Sequence, residues 1–260
     1  MQQEQFQTIA EFLLEAETQK KEVPRITAKH PDLSVEDAYR IQEELVSSKL
    51  AQGYRILGPK MGLTSRAKMK QMNVEEPIYG YIFDNMVIDS GILRMSELIH
   101  PKVEAEIAFV LGEDIEGPGM TGTQVLAATK YVVPALEIID SRYENFNFTL
   151  PDVIADNASS SRVFLGSTLK NPNELELDLV GVTLSINGEL KDLGAGAAVL
   201  SHPANSVAVL ANMLSRRGLK LTAGQVILSG GITGAATLCI GDTVEAKWDG
   251  LGSISFRTQV

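Results

Sequence analysis

Hydrophobic positions recur with two different periods along the chain, and the change comes near Gly53. Before it, Phe6, Ile9, Leu13 and Leu14 fall three or four residues apart, the spacing that gathers side chains on one face of a helix. A second helix is expected from Ser34: Ser34 and Asp37 form a capping pair, Ala38, Ile41 and Leu45 make the stripe, and Gly53 stops it. Beyond Gly53, runs with strand-like texture predict β-structure near 54–62, 81–88, 102–111, 131–140, 178–186, 225–229, 242–248 and 252–257. Asn187-Gly188 between apolar runs predicts a hairpin. Helical spacing returns at 122–130 and 203–217; the second has Pro203 near its start, Val207, Leu210 and Leu214 on one face, and Gly218 at its end. Strands and helices do not alternate regularly, so the expected class is α+β. Residues 1–53 form a small helical part packed on a β-rich body, residues 54–260, in one continuous domain.

One strand carries an evident cost. In Lys102–Leu111, KVEAEIAFVL, the residues Val103, Ala105, Ile107, Phe109 and Leu111 point one way, while Glu104, Glu106 and Ala108 point the other. Two carboxylates on one face repel unless water screens them or a positive charge lies between them. Glu137 adds a third inside the apolar run YVVPALEIID (131–140), and burying such anions is costly. Two readings fit this pattern: strands with one wet face, or an all-oxygen site for a hard cation such as Mg²⁺ or Mn²⁺. Spacing alone leaves both open. A soft-metal site is disfavoured, because His30, His100, His202 and Cys239 are scattered.

Composition narrows the partners. A net charge of -10 over 260 residues argues against nucleic acid or an anionic membrane, since both call for a basic surface. It does not oppose an anionic small substrate, because a local cation reverses the field at a site. A single cysteine excludes an internal disulfide, and the polar breaks in MQQEQFQTIAEFLLEAETQKK are unlike a signal peptide or a membrane span. A cytoplasmic location is expected.

Other groups have a chemical and a structural reading side by side. The glycines of SGGIT (229–233) let backbone N–H groups approach a substrate carboxylate, which makes Gly231 and Thr233 candidates for substrate binding; a plain Gly-Gly turn is the other reading. Ser160 or Ser161 has a hydroxyl to offer a substrate, or a helix cap to make, and Ser161 is taken as the substrate candidate. His202 before Pro203 is expected to start a helix, Arg142 to make a surface ion pair, and Cys239 to be buried.

The chain resembles the fumarylacetoacetate hydrolase superfamily. The resemblance is carried by Glu104-x-Glu106, Glu137, Lys60 within GPKMGLTS (58–65), ADNASSSR (155–162) and the closing GLGSISFRTQV, in order from about residue 35 to the end. MGLTSRAKMKQM (61–72), EPIYG (76–80), VVPALEIIDSRYENF (132–146) and LGAGAAVLSHP (193–203) are similar to its hydratase and decarboxylase branch. The resemblance implies a mixed β-sheet roll of the family's C-terminal-domain type, Mg²⁺ or Mn²⁺ held by Glu104, Glu106 and Glu137, and Lys60 as the catalytic cation. It implies loss of CO2 from 2-oxohex-3-enedioate in the meta-cleavage degradation of aromatic compounds, with hydration of 2-hydroxypenta-2,4-dienoate as the alternative. It also implies a homo-oligomer and a complex with a homologous hydratase. Two positions depart from the pattern: Pro59 restricts Gly58 before the lysine, and Ile78 stands in EPIYG where related hydratases carry an aspartate. Ile78 is therefore expected to line the substrate site.

Overall fold

The computed structural model describes residues 1–71 and 74–260. Met72, which closes the MGLTSRAKMKQM motif, lies outside the described residues. In chain order the helices are α1 (Gln3–Gln19), α2 (Val35–Ala51), α3 (Arg66–Gln71), α4 (Gly122–Ala128), α5 (Leu150–Ala155) and α6 (Pro203–Ser215). The strands are β1 (Ile56–Gly62), β2 (Ile78–Phe83), β3 (Ile92–Arg94), β4 (Lys102–Leu111), β5 (Thr129–Ile139), β6 (Ser160–Leu165), β7 (Gly181–Ile186), β8 (Glu189–Ala195), β9 (Val226–Leu228), β10 (Ala236–Thr237), β11 (Thr243–Trp248) and β12 (Gly252–Gln259).

Two sheets form the body. The larger runs β2-β1-β9-β4-β5-β6, with β10 also on β4, and the smaller runs β3-β12-β11-β7-β8. The odd-numbered side chains of β4 that were expected on one face do lie there, buried in the main core with Leu136, Ile138 and Phe164. The second sheet contributes Val182, Leu184, Val244, Ala246 and Phe256 to the same core. Phe164 stacks on Phe256 across this layer, with ring centroids 4.2 Å apart. The other face of the large sheet is buried too. Ala108, Ala135, Val163 and Leu228 form a second, smaller cluster with Val46 of α2, Phe83 and Met86. The wet-face reading of β4 is thereby overturned: helices and loops cover the side on which water would have screened the glutamates.

The N-terminal helices follow their stripes. Phe6, Ile9 and Leu13 of α1 and Ala38, Ile41 and Leu45 of α2 are buried, while Leu14 is half-buried. Ser34 accepts the Asp37 N–H at 3.0 Å, as the capping pair requires. Lys49 of α2 is buried and pairs with Glu17 of α1 at 2.7 Å. A carboxylate fixes this part to the body. Asp152, fully buried in α5, accepts the backbone N–H and the hydroxyl of Thr27, each at 2.8 Å, and both corresponding groups of Thr149 at 2.8 and 2.6 Å. Asp152→Ala removes an acceptor from four donors at once. The expected cost is on the order of 3 kcal/mol, a fall in Tm of roughly 6–12 °C by thermal melt. An unchanged melting point would show that water replaces this carboxylate fully.

Candidate active site

The register of the large sheet assembles the three glutamates. Glu104 on β4 is paired directly with Glu137 on β5, and Glu106, two residues along, faces Ala135. Paired residues of antiparallel strands share a face, so all three carboxylates project from the side buried by the smaller cluster. One oxygen of each lies within 4.8 Å of the others. Lys60 reaches the same place from β1: it pairs with Leu228 on β9, which pairs with Ala108 on β4. Its ammonium lies 3.0 Å from Glu137 Oε2 and donates to the Ala158 carbonyl at 3.2 Å. With 3% of its side chain exposed, Lys60 is no surface lysine.

Burial decides the electrostatics. Glu106 and Glu137 are completely buried, and Glu104 keeps 8% exposure. Burial pushes the Glu106 carboxyl well above the usual carboxylate range, and the Glu137 charge pushes it the same way, against the pull of Lys60. Burial also raises Glu137, with Lys60 opposing. Glu106 Oε2 accepts the Gly230 N–H at 2.7 Å, but Glu106 Oε1 and Glu137 Oε1 have no hydrogen-bond donor among the described residues. Orphaned buried carboxylate oxygens are expensive. Among the described residues, these three carboxylates and Lys60 sum to -2 when all are ionised. A divalent cation would neutralise that sum and satisfy the orphaned oxygens, and hard oxygen donors suit Mg²⁺ or Mn²⁺. The residues present fit such an ion.

The glycine segment closes the site. Ser229 N–H donates to the Ile107 carbonyl and Ile232 N–H to the Ala105 carbonyl, so the segment is pinned along β4. Thr233 Oγ1 accepts the Ala105 N–H at 3.0 Å. Gly231 lies against Glu104; a Cβ there would sit 3.0 Å from the carboxylate carbon. Gly230 has φ +109, and a Cβ on it would fall 2.2 Å from Thr64 Oγ1, so only glycine fits. Gly231 and Thr233 thus lie beside the glutamates, and the neighbouring Gly230 gives its own N–H to Glu106.

Ile78 is buried on β2, two residues before Gly80, which pairs with Lys60. A Cβ placed on Gly62 would be 3.1 Å from Ile78 Cγ1 and 3.9 Å from Lys60 Nζ, so isoleucine and ammonium flank one small space. Ser161 is buried on β6 and not at a helix end; it borders a polar cleft with Glu17, Lys49, Arg142 and Arg162 that none of the three glutamates lines.

Behind Lys60 the chain takes an unusual path. Asn157, Ala158 and Ser159 all have positive φ, at 49, 52 and 56°, with no glycine among them. Each such residue costs about 1–3 kcal/mol and persists only where its surroundings hold it. Arg142, expected at the surface, is buried here and grips the turn. Its guanidinium pairs with the Asp156 carboxylate and donates to the carbonyls of Asp140, Asp156 and Ser160. A guanidinium has five donors, and four bonds from this one hold the turn and its neighbours together. Neither this turn nor the role of Gly230 was found from sequence. ADNASSSR and SGGIT were noted, but nothing in them marks a left-handed backbone on alanine or serine. His202 caps α6, its Nδ1 accepting the Ala204 N–H at 3.1 Å. Cys239, two residues beyond the short strand β10, is exposed, not buried.

The model of the fumarylacetoacetate (FAA) hydrolase C-terminal family matches residues 50–259. The chain belongs to the fumarylacetoacetate hydrolase family. Among relatives of this family member, a 4-oxalocrotonate decarboxylase from Pseudomonas sp. (strain CF600) is 49% identical over 98% of this chain and 97% of that protein. A 2-keto-4-pentenoate hydratase from Paraburkholderia xenovorans (strain LB400) is 42% identical over 98% of this chain and 95% of that protein. The solved structure of 4-oxalocrotonate decarboxylase from Pseudomonas putida G7, complexed with magnesium and adipate, superimposes with a TM-score of 0.97 at 46% identity, covering 99% of this chain and 98% of that one. The fold is therefore the expected α+β roll of the fumarylacetoacetate hydrolase family.

Proposed function

We propose that this protein is a Mg²⁺- or Mn²⁺-dependent decarboxylase converting 2-oxohex-3-enedioate to 2-hydroxypenta-2,4-dienoate and CO2. The observation that carries this reading over the hydratase is Ile78. Hydration calls for an acid–base group to deliver a proton to carbon and activate water. The chain instead places an isoleucine, 4% exposed, beside the space it shares with Lys60. The similarity to decarboxylases over nearly the whole chain supports the same choice.

In the reaction the C5–C6 bond breaks. Its electron pair forms the C4–C5 double bond, the C3–C4 pair moves to C2–C3, and the carbonyl pair moves onto the 2-oxo oxygen, which takes one proton. Glu104, Glu106 and Glu137 would hold the divalent cation, which when bound supplies Lewis-acid stabilisation of the charge gathering on that oxygen. Lys60 brings a buried positive charge and a proton to the same region. The Glu137 carboxylate and the Ala158 carbonyl orient its ammonium. Ile78 excludes water from the conjugated chain, suppressing hydration and favouring departure of a poorly solvated carboxylate as neutral CO2. Adipate, bound by the P. putida G7 enzyme, is itself a six-carbon dicarboxylate.

The deciding experiment is product analysis with 2-oxohex-3-enedioate and the protein alone. CO2 and the dienol chromophore should appear together, without appreciable hydrated product. Ile78→Asp should slow decarboxylation on the order of tenfold or more and admit some hydration. Efficient conversion of 2-hydroxypentadienoate to 4-hydroxy-2-oxopentanoate by the wild type would replace the decarboxylase reading with the hydratase one.

Assembly with further copies and with a homologous hydratase belongs to the same proposal. Leu190 and Leu193 on edge strand β8, with Leu179 nearby in sequence, are more than half exposed and supply apolar surface for it. The reading also places the enzyme in the cytoplasm; no helix among the described residues is long and apolar enough to cross a membrane.

A further inference from the structure

Lys60 is aimed by two acceptors, and only one of them belongs to the glutamate cluster. The other is the Ala158 carbonyl, 3.2 Å from the ammonium. That carbonyl points at Lys60 because Asn157, Ala158 and Ser159 are held in the left-handed region. One side chain ties this turn to the strand next to the lysine. The Asn157 amide makes a two-way clamp on Tyr81: Oδ1 accepts the Tyr81 N–H at 2.8 Å, and Nδ2 donates to the Tyr81 carbonyl at 2.9 Å. Tyr81 lies on β2 one residue beyond Gly80, the partner of Lys60 across the β1–β2 ladder. The fit is close: a Cβ on Gly80 would fall 2.4 Å from the Asn157 carbonyl oxygen, so the turn sits where a side chain would otherwise stand.

We infer that Asn157 is a positioning residue for decarboxylation, acting on Lys60 through the carbonyl of Ala158. This inference rests on the role proposed for Lys60. Asparagine suits the task twice, because its amide matches a backbone N–H and C=O pair and because it tolerates positive φ better than most residues. With the clamp gone, the turn has reason to relax toward ordinary φ values, and the carbonyl swings away from the ammonium. The lysine then keeps its charge but loses its direction, which harms the chemical step more than substrate binding.

A double-mutant cycle tests this. Asn157→Ala is expected to lower kcat about tenfold or more while changing KM less than about threefold. In a Lys60→Ala background the same substitution should change the residual kcat less than about twofold, because its target is already gone. Calorimetric titration with Mn²⁺ should give the wild-type Kd within about threefold, showing that the carboxylates are undisturbed. If Asn157→Ala does not fold, Asn157→Gly carries the test, since glycine accepts the left-handed backbone without providing the clamp. Equal losses of kcat in both Lys60 backgrounds, an unchanged kcat in the single variant, or a collapse of Mn²⁺ affinity would each overturn the inference. The wild-type control separates this from the activity assignment: if it hydrates and releases no CO2, the decarboxylase reading fails, and the cycle is still read on hydration.

Discussion

Glu106→Gln should abolish turnover while the protein remains folded. Glu106 is completely buried: its Oε2 accepts the Gly230 N–H, and its Oε1 has no donor among the described residues. A neutral amide fills the same space but is a far weaker donor to a hard cation, and the expected loss is on the order of a thousandfold in kcat/KM. Metal-free stability should move the other way. Burial raises the Glu106 carboxyl above its ordinary value of 4.5, so the folded state binds a proton more readily than the unfolded one. The sign follows from linkage: metal-free stability falls as pH rises from the unfolded value through the folded one. Glutamine removes that fall, so the variant's Tm advantage in chelator should grow from acidic to alkaline buffer. Near-wild-type turnover at modest Mg²⁺ would remove Glu106 from the ligand set.

Lys60→Ala should lower kcat on the order of a hundredfold or more and leave KM comparatively unchanged, because its charge matters most when negative charge gathers on the 2-oxo oxygen. Lys60→Arg should restore little. The guanidinium is broader and does not readily give up a proton, and the space beside Ile78 is already small. Removing the ammonium also leaves Glu137 Oε2 without its ion-pair partner in a fully buried setting. Without metal the alanine variant should therefore be less stable, by about 3–5 kcal/mol if Glu137 stays ionised. Steady-state kinetics and denaturant melts read the two effects separately. An unchanged kcat would make Lys60 a purely structural cation.

What could be read in advance was whatever depended on period. Glu104 and Glu106 share a face because strands have a period of two, and that much is local. The pairing of Glu104 with Glu137 is a register, set by how β4 and β5 come together, and no local pattern fixes it. Lys60 could not be distinguished from a surface lysine by its own neighbours; only the GPKMGLTS motif marked it, and the structure buries it. β6 was passed over because it opens on two serines within the ASSS run, and β8 was expected only through the Asn187-Gly188 hairpin because its polar ELKDLGA sequence belongs to a half-exposed edge. Arg142 was misplaced for a similar reason. An arginine in DSRYENF reads as solvent-facing until the strained turn that its guanidinium holds is known.

The burial of the carboxylate cluster has a temporal meaning as well. Glu106 and Glu137 are sealed, and Glu104 alone among the three retains contact with solvent. A cation held by all three carboxylates would leave past Glu104 or as the surrounding layers part. How long such a cation stays would then depend on the opening of the protein around it, on the slow scale of local unfolding, as well as on the strength of the oxygens that hold it. Tightness and lifetime become separate properties. A substitution that loosens the packing of Val46, Phe83 and Met86 against the sheet would hasten exchange without weakening the equilibrium grip.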